Sequence, residues 1–286
     1  MPETLRSIEL GIALRDLRAH RNLTQVELST LLGKRSHSEI SRWESGKLAP
    51  HERDIDALLD ALEATGAERS HIRKLMRESA ARNWLSPGVG QGLAMLHEYE
   101  ARATHIVDVQ PLMIPGPLQT RDYAIAFMMA SGRTREEAEE RADFRMSRRE
   151  ILTRNSALEY TAIIGEAPLR YPFCRPSIAI AQLRQLIQLS RLETVTIQVL
   201  PLTQGYHEAL EGSFILLEFN EIDPAVYLEH YRSATTLTDR KDVRHYMLAA
   251  TNVRRAAMSP SSSLELIAHL MNQMENTCDT PEMDQI

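Results

Sequence analysis

Leu23-Thr24-Gln25-Val26-Glu27-Leu28, then Ser38-Glu39-Ile40-Ser41-Arg42-Trp43-Glu44-Ser45-Gly46-Lys47 and, three residues on, Pro50, is the stretch from which the rest of the chain is read. Thr24 stands where a helix N-cap belongs, and Glu27 three residues later can return the hydrogen bond in a capping box. A helix therefore starts after Thr24, with Val26, Leu28, Leu31 and Leu32 as its apolar face and Gly33 suited to a left-handed stop. Ser36 is placed to cap the next segment, with Glu39 as partner in a second box. This predicts a short helix over about Ser36 to Ser45 that buries Ile40 and Trp43 on one stripe. Upstream, Leu10, Leu14 and Leu17 repeat at three- and four-residue spacing. Downstream, Gly46 ends the third helix and Pro50 precedes a fourth carrying Ile55, Leu58, Leu59 and Leu62.

Four short helices whose second and third are joined by a tight turn form the helix-turn-helix arrangement, in which the third lies in the major groove of DNA and the second crosses the backbone. The expected base readers are His37, Ser38, Ser41 and Arg42, at the start and on the open face of the third helix, with Ser36 at its cap. Arg42 is the strongest, able to take guanine O6 and N7 together. Gln25, opening the second helix, is placed to grip a phosphate through N–H groups and its amide, and Arg35 and Lys47 flank the third helix for the same use. Glu39 and Glu44 read instead as partners of local bases, and Trp43 as core. His51 at the start of the fourth helix reads as a solvated surface histidine rather than a titrating modulator.

The chain has 286 residues, 43% hydrophobic and 25% charged, with 12 Gly and 13 Pro, which fits a globular protein of two domains and excludes collagen-like or low-complexity classes. Aromatics at 5% favour helices over β-sandwiches. Cys174 and Cys278 offer no metal spacing and no disulfide framework. No apolar run reaches membrane-spanning length and the first residues, MPETLRSIEL, lack a signal pattern, so the expectation is a cytoplasmic protein without membrane contact. The formal charge of -6 disfavours nucleic acid until it is mapped. Residues 1 to 50 hold eight basic against six acidic side chains, whereas residues 87 to 286 hold 19 against 26. A basic head precedes an acidic body.

Ser86-Pro87-Gly88-Val89-Gly90-Gln91-Gly92 reads as linker rather than as a phosphate loop, because no strand precedes it and no Gly-Lys-Ser/Thr follows. Beyond it helices are expected at about Gly92 to Ala103, Arg121 to Ala130, Thr134 to Asn155, Pro176 to Leu189, Arg240 to Ala257 and Ser263 to Asn276. Strands are expected at Ile106 to Val109, Leu158 to Ile164, Val195 to Leu200, Ser213 to Phe219 and Val226 to Glu229. The fold class is α+β: an N-terminal all-α lambda-repressor-like helix-turn-helix domain over 1-70, a helical and glycine-rich linker over 71-98, a larger mixed α/β effector, partner-binding and dimerisation domain over 99-276 ending in two helices, and a flexible tail over 277-286.

Chemistry in the body is sparse. Glu166 and Glu229 at strand ends can be read as a carboxylate pair for hydrolysis, or as groups satisfied by an N–H or by an arginine such as Arg170 or Arg232. Gln119, in a Pro-Gly-Pro loop that shapes the start of a helix, joins Glu166, Arg170 and Glu229 as the candidate ligand contacts. His207 and His230 lack metal-ligand spacing, no Gly-x-Ser-x-Gly elbow occurs, and neither metal, cofactor nor catalytic residue is expected. The expectation is a protein that is not an enzyme.

The opening motif resembles the Xre and lambda-repressor type of DNA-binding domain, with cap, glutamine, turn, Ile-Ser-x-x-Glu-x-Gly and closing proline in register. From about Tyr99 the chain resembles the C-terminal domain of WhiJ-type actinobacterial regulators. That likeness rests on Ile114 to Thr120 with Tyr123, Arg148 to Leu152, Gly165 to Arg170, Gln182-Leu183, Thr196 to Pro201, Gly212 to Phe214 and Tyr227 to Glu229. The resemblance implies a regulator that binds a double-stranded DNA operator as a homodimer and is encoded beside small acidic partner proteins of the BldB type that relieve repression. The reading that follows is a transcription regulator, a repressor, whose body senses a small ligand or such a partner. The alternatives are an antitoxin-like autorepressor and a DNA-targeted hydrolase built on Glu166 and Glu229. The last two helices, with Leu264, Ile267, Ala268 and Met271 on one stripe, are the expected dimer contact.

Overall fold

The computed structural model describes residues 5–33, 35–77, 83–87, 89–153, 158–220, 222–230 and 233–278. The chain divides into two compact units, one of residues 1–84 with 221–223 and one of the remainder.

The first unit is all helix: α1 (Leu5–His20), α2 (Gln25–Leu31), α3 (His37–Glu44), α4 (Glu52–Ala61) and α5 (Gly66–Arg77). Leu10, Leu14, Leu17, Leu28, Ile40, Trp43, Ile55, Leu58, Leu59 and Leu62 form one buried core with Ile72 and Leu75 of α5. The apolar periodicity of α1, α3 and α4 thus turns inward as expected. On α2 it does so only in part. Leu28 is buried and Leu32 packs against the core, whereas Val26 and Leu31 face solvent. The helix is only seven residues long and rests on the core along one narrow line, so two of its four apolar residues find no neighbour there.

Thr24 caps α2 as read: its Oγ1 accepts from Glu27 N at 3.2 Å, and Glu27 Oε2 accepts from Thr24 N at 2.7 Å. The second box does not form. Ser36 stands at the N-cap of α3 without a side-chain cap bond, its Oγ lying 2.6 Å from Ser38 Oγ, because Glu39 is drawn to Arg35 instead. Two glycines let α3 nest against α1. A Cβ at Gly11 would lie 2.5 Å from the Trp43 carbonyl oxygen, and Gly46, at φ +77°, would place one 2.6 Å from Ile8 Cα.

The second unit holds α6 (Val89–Arg102), β2 (His105–Gln110), α7 (Arg121–Ala130), α8 (Arg135–Arg148), β3 (Glu159–Gly165), the single turn α9 (Ala167–Arg170), α10 (Pro176–Leu189), β4 (Val195–Leu200), β5 (Phe214–Glu218), β6 (Ala225–Glu229), β7 (Ser233–Leu237), α11 (Arg240–Ala256) and α12 (Pro260–Cys278). Counting β1 (Asn83–Pro87) at one edge, the strand order is β1-β7-β6-β5-β2-β3-β4. β2, β3 and β4 are parallel and joined by helical crossovers, while β5, β6 and β7 meander antiparallel from β2. The expected mixed α/β unit ending in two helices is therefore present.

Alternation along the strands gives each face its own chemistry. Val107, Val109, Ile163, Phe214, Leu216 and Val226 pack beneath Val243, Ala250 and Val253 of α11. The edge of β4 is closed by the start of α12: Val199 N donates to Ser263 Oγ at 2.9 Å and Met258 N to Val199 O at 2.8 Å.

Several boundaries differ from expectation. The glycine-rich stretch read as linker is occupied by β1 and the start of α6, with Gly88 outside the described residues. The helix expected to run to Asn155 ends at Arg148 and continues as one 3-10 turn, Arg149–Leu152. β7 has no counterpart in the sequence reading. Of the stripe on α12, Ile267 is buried within the unit, whereas Leu264, Ala268 and Met271 are half-buried, and α12 packs on α10.

Candidate nucleic-acid interface

α3 is held by one carboxylate. Glu44, 4% exposed, accepts from Arg18 Nε at 2.6 Å and Nη2 at 2.8 Å, and from Gln25 Nε2 at 2.7 Å. Arg18 also donates to the Leu23 carbonyl at 2.6 Å. The end of α1, the start of α2 and the end of α3 are thereby tied at one point, and the hydrogen bond to Glu44 keeps the Arg18 guanidinium above its usual pKa. This clamp fixes the angle at which α3 is presented. Sequence reasoning had given Glu44 a local base. It had not found Gln25 as a second donor, since the contact depends on how α2 crosses α3.

The turn between α2 and α3 is fastened in the same manner. Ser29 Oγ donates to the Arg35 carbonyl, and Arg35 reaches Glu39 at 2.9 Å and Asp54 of α4 while lying 5.6 Å from the Trp43 ring centre. The structure therefore spends two residues expected to contact phosphate on internal bonds. Arg35 is bracketed by two carboxylates and the Gln25 amide donates to Glu44, although both side chains remain half-exposed.

The remaining predicted readers share one open face. Ser36, His37, Ser38, Arg42 and Lys47 are exposed and Ser41 is half-buried. Arg42 Nε donates to the Ser38 carbonyl at 3.2 Å. Among the described residues no carboxylate pairs with Arg42 or Lys47, whereas Arg18, Arg21, Arg35, Arg69 and Arg73 are each paired within the unit. Unneutralised charge is thus concentrated on α3 and the turn after it. His51, exposed, occupies the N-cap of α4, its N–H 3.4 Å from Asp54 Oδ2.

The four body residues expected to meet a ligand are not brought together. Gln119 is buried, its Nε2 donating to Ile114 O at 2.7 Å and its Oε1 accepting from Arg145 at 2.7 Å. Glu166 accepts from Arg170 and from Leu202 N at 2.8 Å. Glu229 is exposed at the end of β6, and Arg232 lies outside the described residues. Glu166 and Glu229 stand at the same end of the sheet but three strands apart, roughly 14 Å by strand spacing. Paired hydrolytic carboxylates stand about 9.5 Å apart at most.

Sequence reasoning missed the buried polar layer behind the sheet. Arg148 and Glu100 are almost fully buried and joined by two bonds of 2.7 and 2.8 Å. Asp108 accepts from Tyr160 at 2.7 Å and Gln110 at 2.8 Å, and burial pushes its carboxyl up to about 6. The alternating Ile106-Val107-Asp108-Val109 was the available signal: a carboxylate inside a strand needs a partner. Among the described residues no three His, Cys, Asp or Glu side chains gather as metal ligands, and no helix is long and apolar enough to cross a membrane.

The first unit is a helix-turn-helix, and with the α/β body it defines the class: a helix-turn-helix DNA-binding regulator. A profile described as "Helix-turn-helix domain" matches residues 9–72. The profile of the "Domain of unknown function (DUF5753)" matches residues 93–269, and the chain belongs to that family. The comparison with curated proteins found no match. Among solved structures the chain is similar to the archaeal chromatin protein TrmBL2, whose structure is described as showing a novel mode of DNA binding. The identity is 12%, with 71% of this chain and 66% of that one covered, and the TM-score of 0.32 is too low for a shared fold.

Proposed function

We propose that the protein is a sequence-specific transcription regulator, a repressor of the WhiJ type, that binds a palindromic operator in the cytoplasm as a homodimer and whose body senses a small ligand or a small partner protein. The observation that carries this reading is the face of α3, where His37, Ser38 and Arg42 are exposed and Arg42 and Lys47 lack carboxylate partners among the described residues. An exposed guanidinium on a groove helix, bonded only through Nε to the Ser38 carbonyl and so with both terminal nitrogens left over, is what bidentate guanine recognition requires. The body is read as binding rather than catalytic, because Glu166 is already satisfied and stands three strands from Glu229.

Arg42→Ala should weaken operator binding by about 1 to 3 kcal/mol and relax preference at one base position, whereas Lys47→Ala should weaken all sequences alike and lower the salt slope by about one unit. Fluorescence anisotropy against single-base operator variants at several salt concentrations separates the two. Uniform loss across the panel for Arg42→Ala would remove it from the base-reading role.

A further inference from the structure

Arg145, on α8, is 8% exposed. Its Nη1 donates to Gln119 Oε1 at 2.7 Å, its guanidinium lies 5.3 Å from the Phe127 ring centre, and its shielded Nε has no acceptor among the described residues. Among the described residues no carboxylate pairs with it, in contrast to Arg148 three residues on, which Glu100 holds twice. Burial lowers the Arg145 guanidinium to about 10, Arg148 and Arg133 push the same way, and the exposed Glu229 opposes them. Arg149 repeats the pattern. Its Nη2 donates to the Gln119 backbone oxygen and to Met146 Sδ, its shielded Nε has no acceptor among the described residues, and burial lowers its pKa. Two guanidiniums therefore converge on Gln119 with unused N–H groups and, among the described residues, no carboxylate bonded to either, Glu229 acting on Arg145 only through space, an arrangement that is costly unless an anion completes it.

A third unused donor stands beside them. Tyr123 of α7 is 1% exposed, and among the described residues its hydroxyl has no hydrogen-bond partner. Its ring lies 4.9 Å from Phe173, which lies 5.7 Å from Phe127, so the three rings form one apolar wall next to Arg145. Phe173 is 42% exposed, which brings the cluster to the surface.

We propose that Arg145, Arg149 and Tyr123 with Phe127 and Phe173 form a binding site for a small aromatic carboxylate. The planar guanidinium fork matches a carboxylate, the tyrosine hydroxyl donates to the same group, and the phenyl rings take a flat apolar body that inorganic phosphate lacks. The inference names the ligand class of the sensing body and rests on that reading only for its consequence at DNA.

The test is calorimetric titration of the full chain with benzoate, phenylacetate and 2-naphthoate, with benzamide and inorganic phosphate as controls. At least one carboxylate should saturate a single site per chain and the controls should not. Arg145→Met and Tyr123→Phe should each weaken binding by about tenfold or more. Arg145→Met leaves Gln119 Oε1 without its donor. Tyr123→Phe removes only an unpartnered hydroxyl, so its Tm should match the parent and its loss of binding reports on the site alone. No saturable binding by any of the three carboxylates, binding unchanged in Tyr123→Phe, or preference for phosphate each overturns the proposal. Repeating the titration with a labelled duplex bound keeps the two readings apart: a carboxylate that binds yet leaves DNA affinity unchanged upholds the site and overturns the sensor role.

Discussion

Glu44 and Asp108 are both buried carboxylates, and their surroundings set them to opposite tasks. Glu44 meets a guanidinium and an amide and acts as the pin of the helix-turn-helix. Asp108 meets only a phenol and an amide, and burial outweighs both, which raises its carboxyl to about 6. The folded state therefore holds that proton more tightly than the unfolded chain, whose aspartate releases it near about 3.9. As pH rises from about 4 to about 6 the unfolded state loses the proton first, so stability falls across this window, by on the order of 3 kcal/mol, and levels off above it. Asp108→Asn should abolish that slope, so the wild-type protein should lose stability relative to the variant as pH rises from 4 to 6.5. Urea unfolding at a series of pH values measures the difference. A constant difference would mean that Asp108 is ionised throughout.

At the scale of elements, the fit of α3 against α1 depends on the absence of a side chain at Gly11. Gly11→Ala would drive a methyl into the carbonyls of Trp43 and Glu44, at 2.5 and 2.7 Å, and should cost about 1 to 3 kcal/mol by displacing α3. It should weaken DNA binding as well, and unfolding curves and anisotropy read the two effects separately. A stability equal to wild type would show that α1 and α3 are not in this contact. Most elements were legible because their signals are local: Thr24 with Glu27 and Thr134 with Glu137 form their capping boxes, and the runs at Val195 to Leu200 and Pro176 to Leu189 match their elements. β7 escaped because Ser-Ala-Thr-Thr-Leu carries little apolar alternation and becomes a strand through pairing with β6. The site was legible where exposure follows from helix phase, as at Arg42. It was not where two elements compete for one side chain, as at Arg35 and Gln25, or where the fold gathers distant donors, as at Tyr123 and Arg145.

For the whole molecule, an acidic body attached to a DNA-reading head has to contribute something other than phosphate binding, and dimerisation is the first requirement of a palindromic operator. Ile267 of α12 is committed to the core, and the more fully exposed apolar side chains lie elsewhere. Met247 and Leu248 on α11 are exposed, Leu248 to 60%, as are Leu202, Tyr206 and Leu210, and Asn252 of α11 donates to Glu208 at 2.6 Å beside Leu210. If the proposed homodimer forms through these side chains, Leu248→Glu should shift the protein from dimer to monomer in sedimentation velocity with an unchanged Tm. A wild-type monomer at micromolar concentration would refute the dimer. The claim on which the account turns, that the chain reads DNA sequence through paired α3 helices, is tested most directly by nuclease footprinting of the full chain on duplexes it selects from a random pool. The account predicts a protected palindrome whose half-sites lie about 10 to 10.5 base pairs, or a multiple, apart. Binding without sequence preference, or protection of one non-palindromic half-site by a monomer, would contradict it.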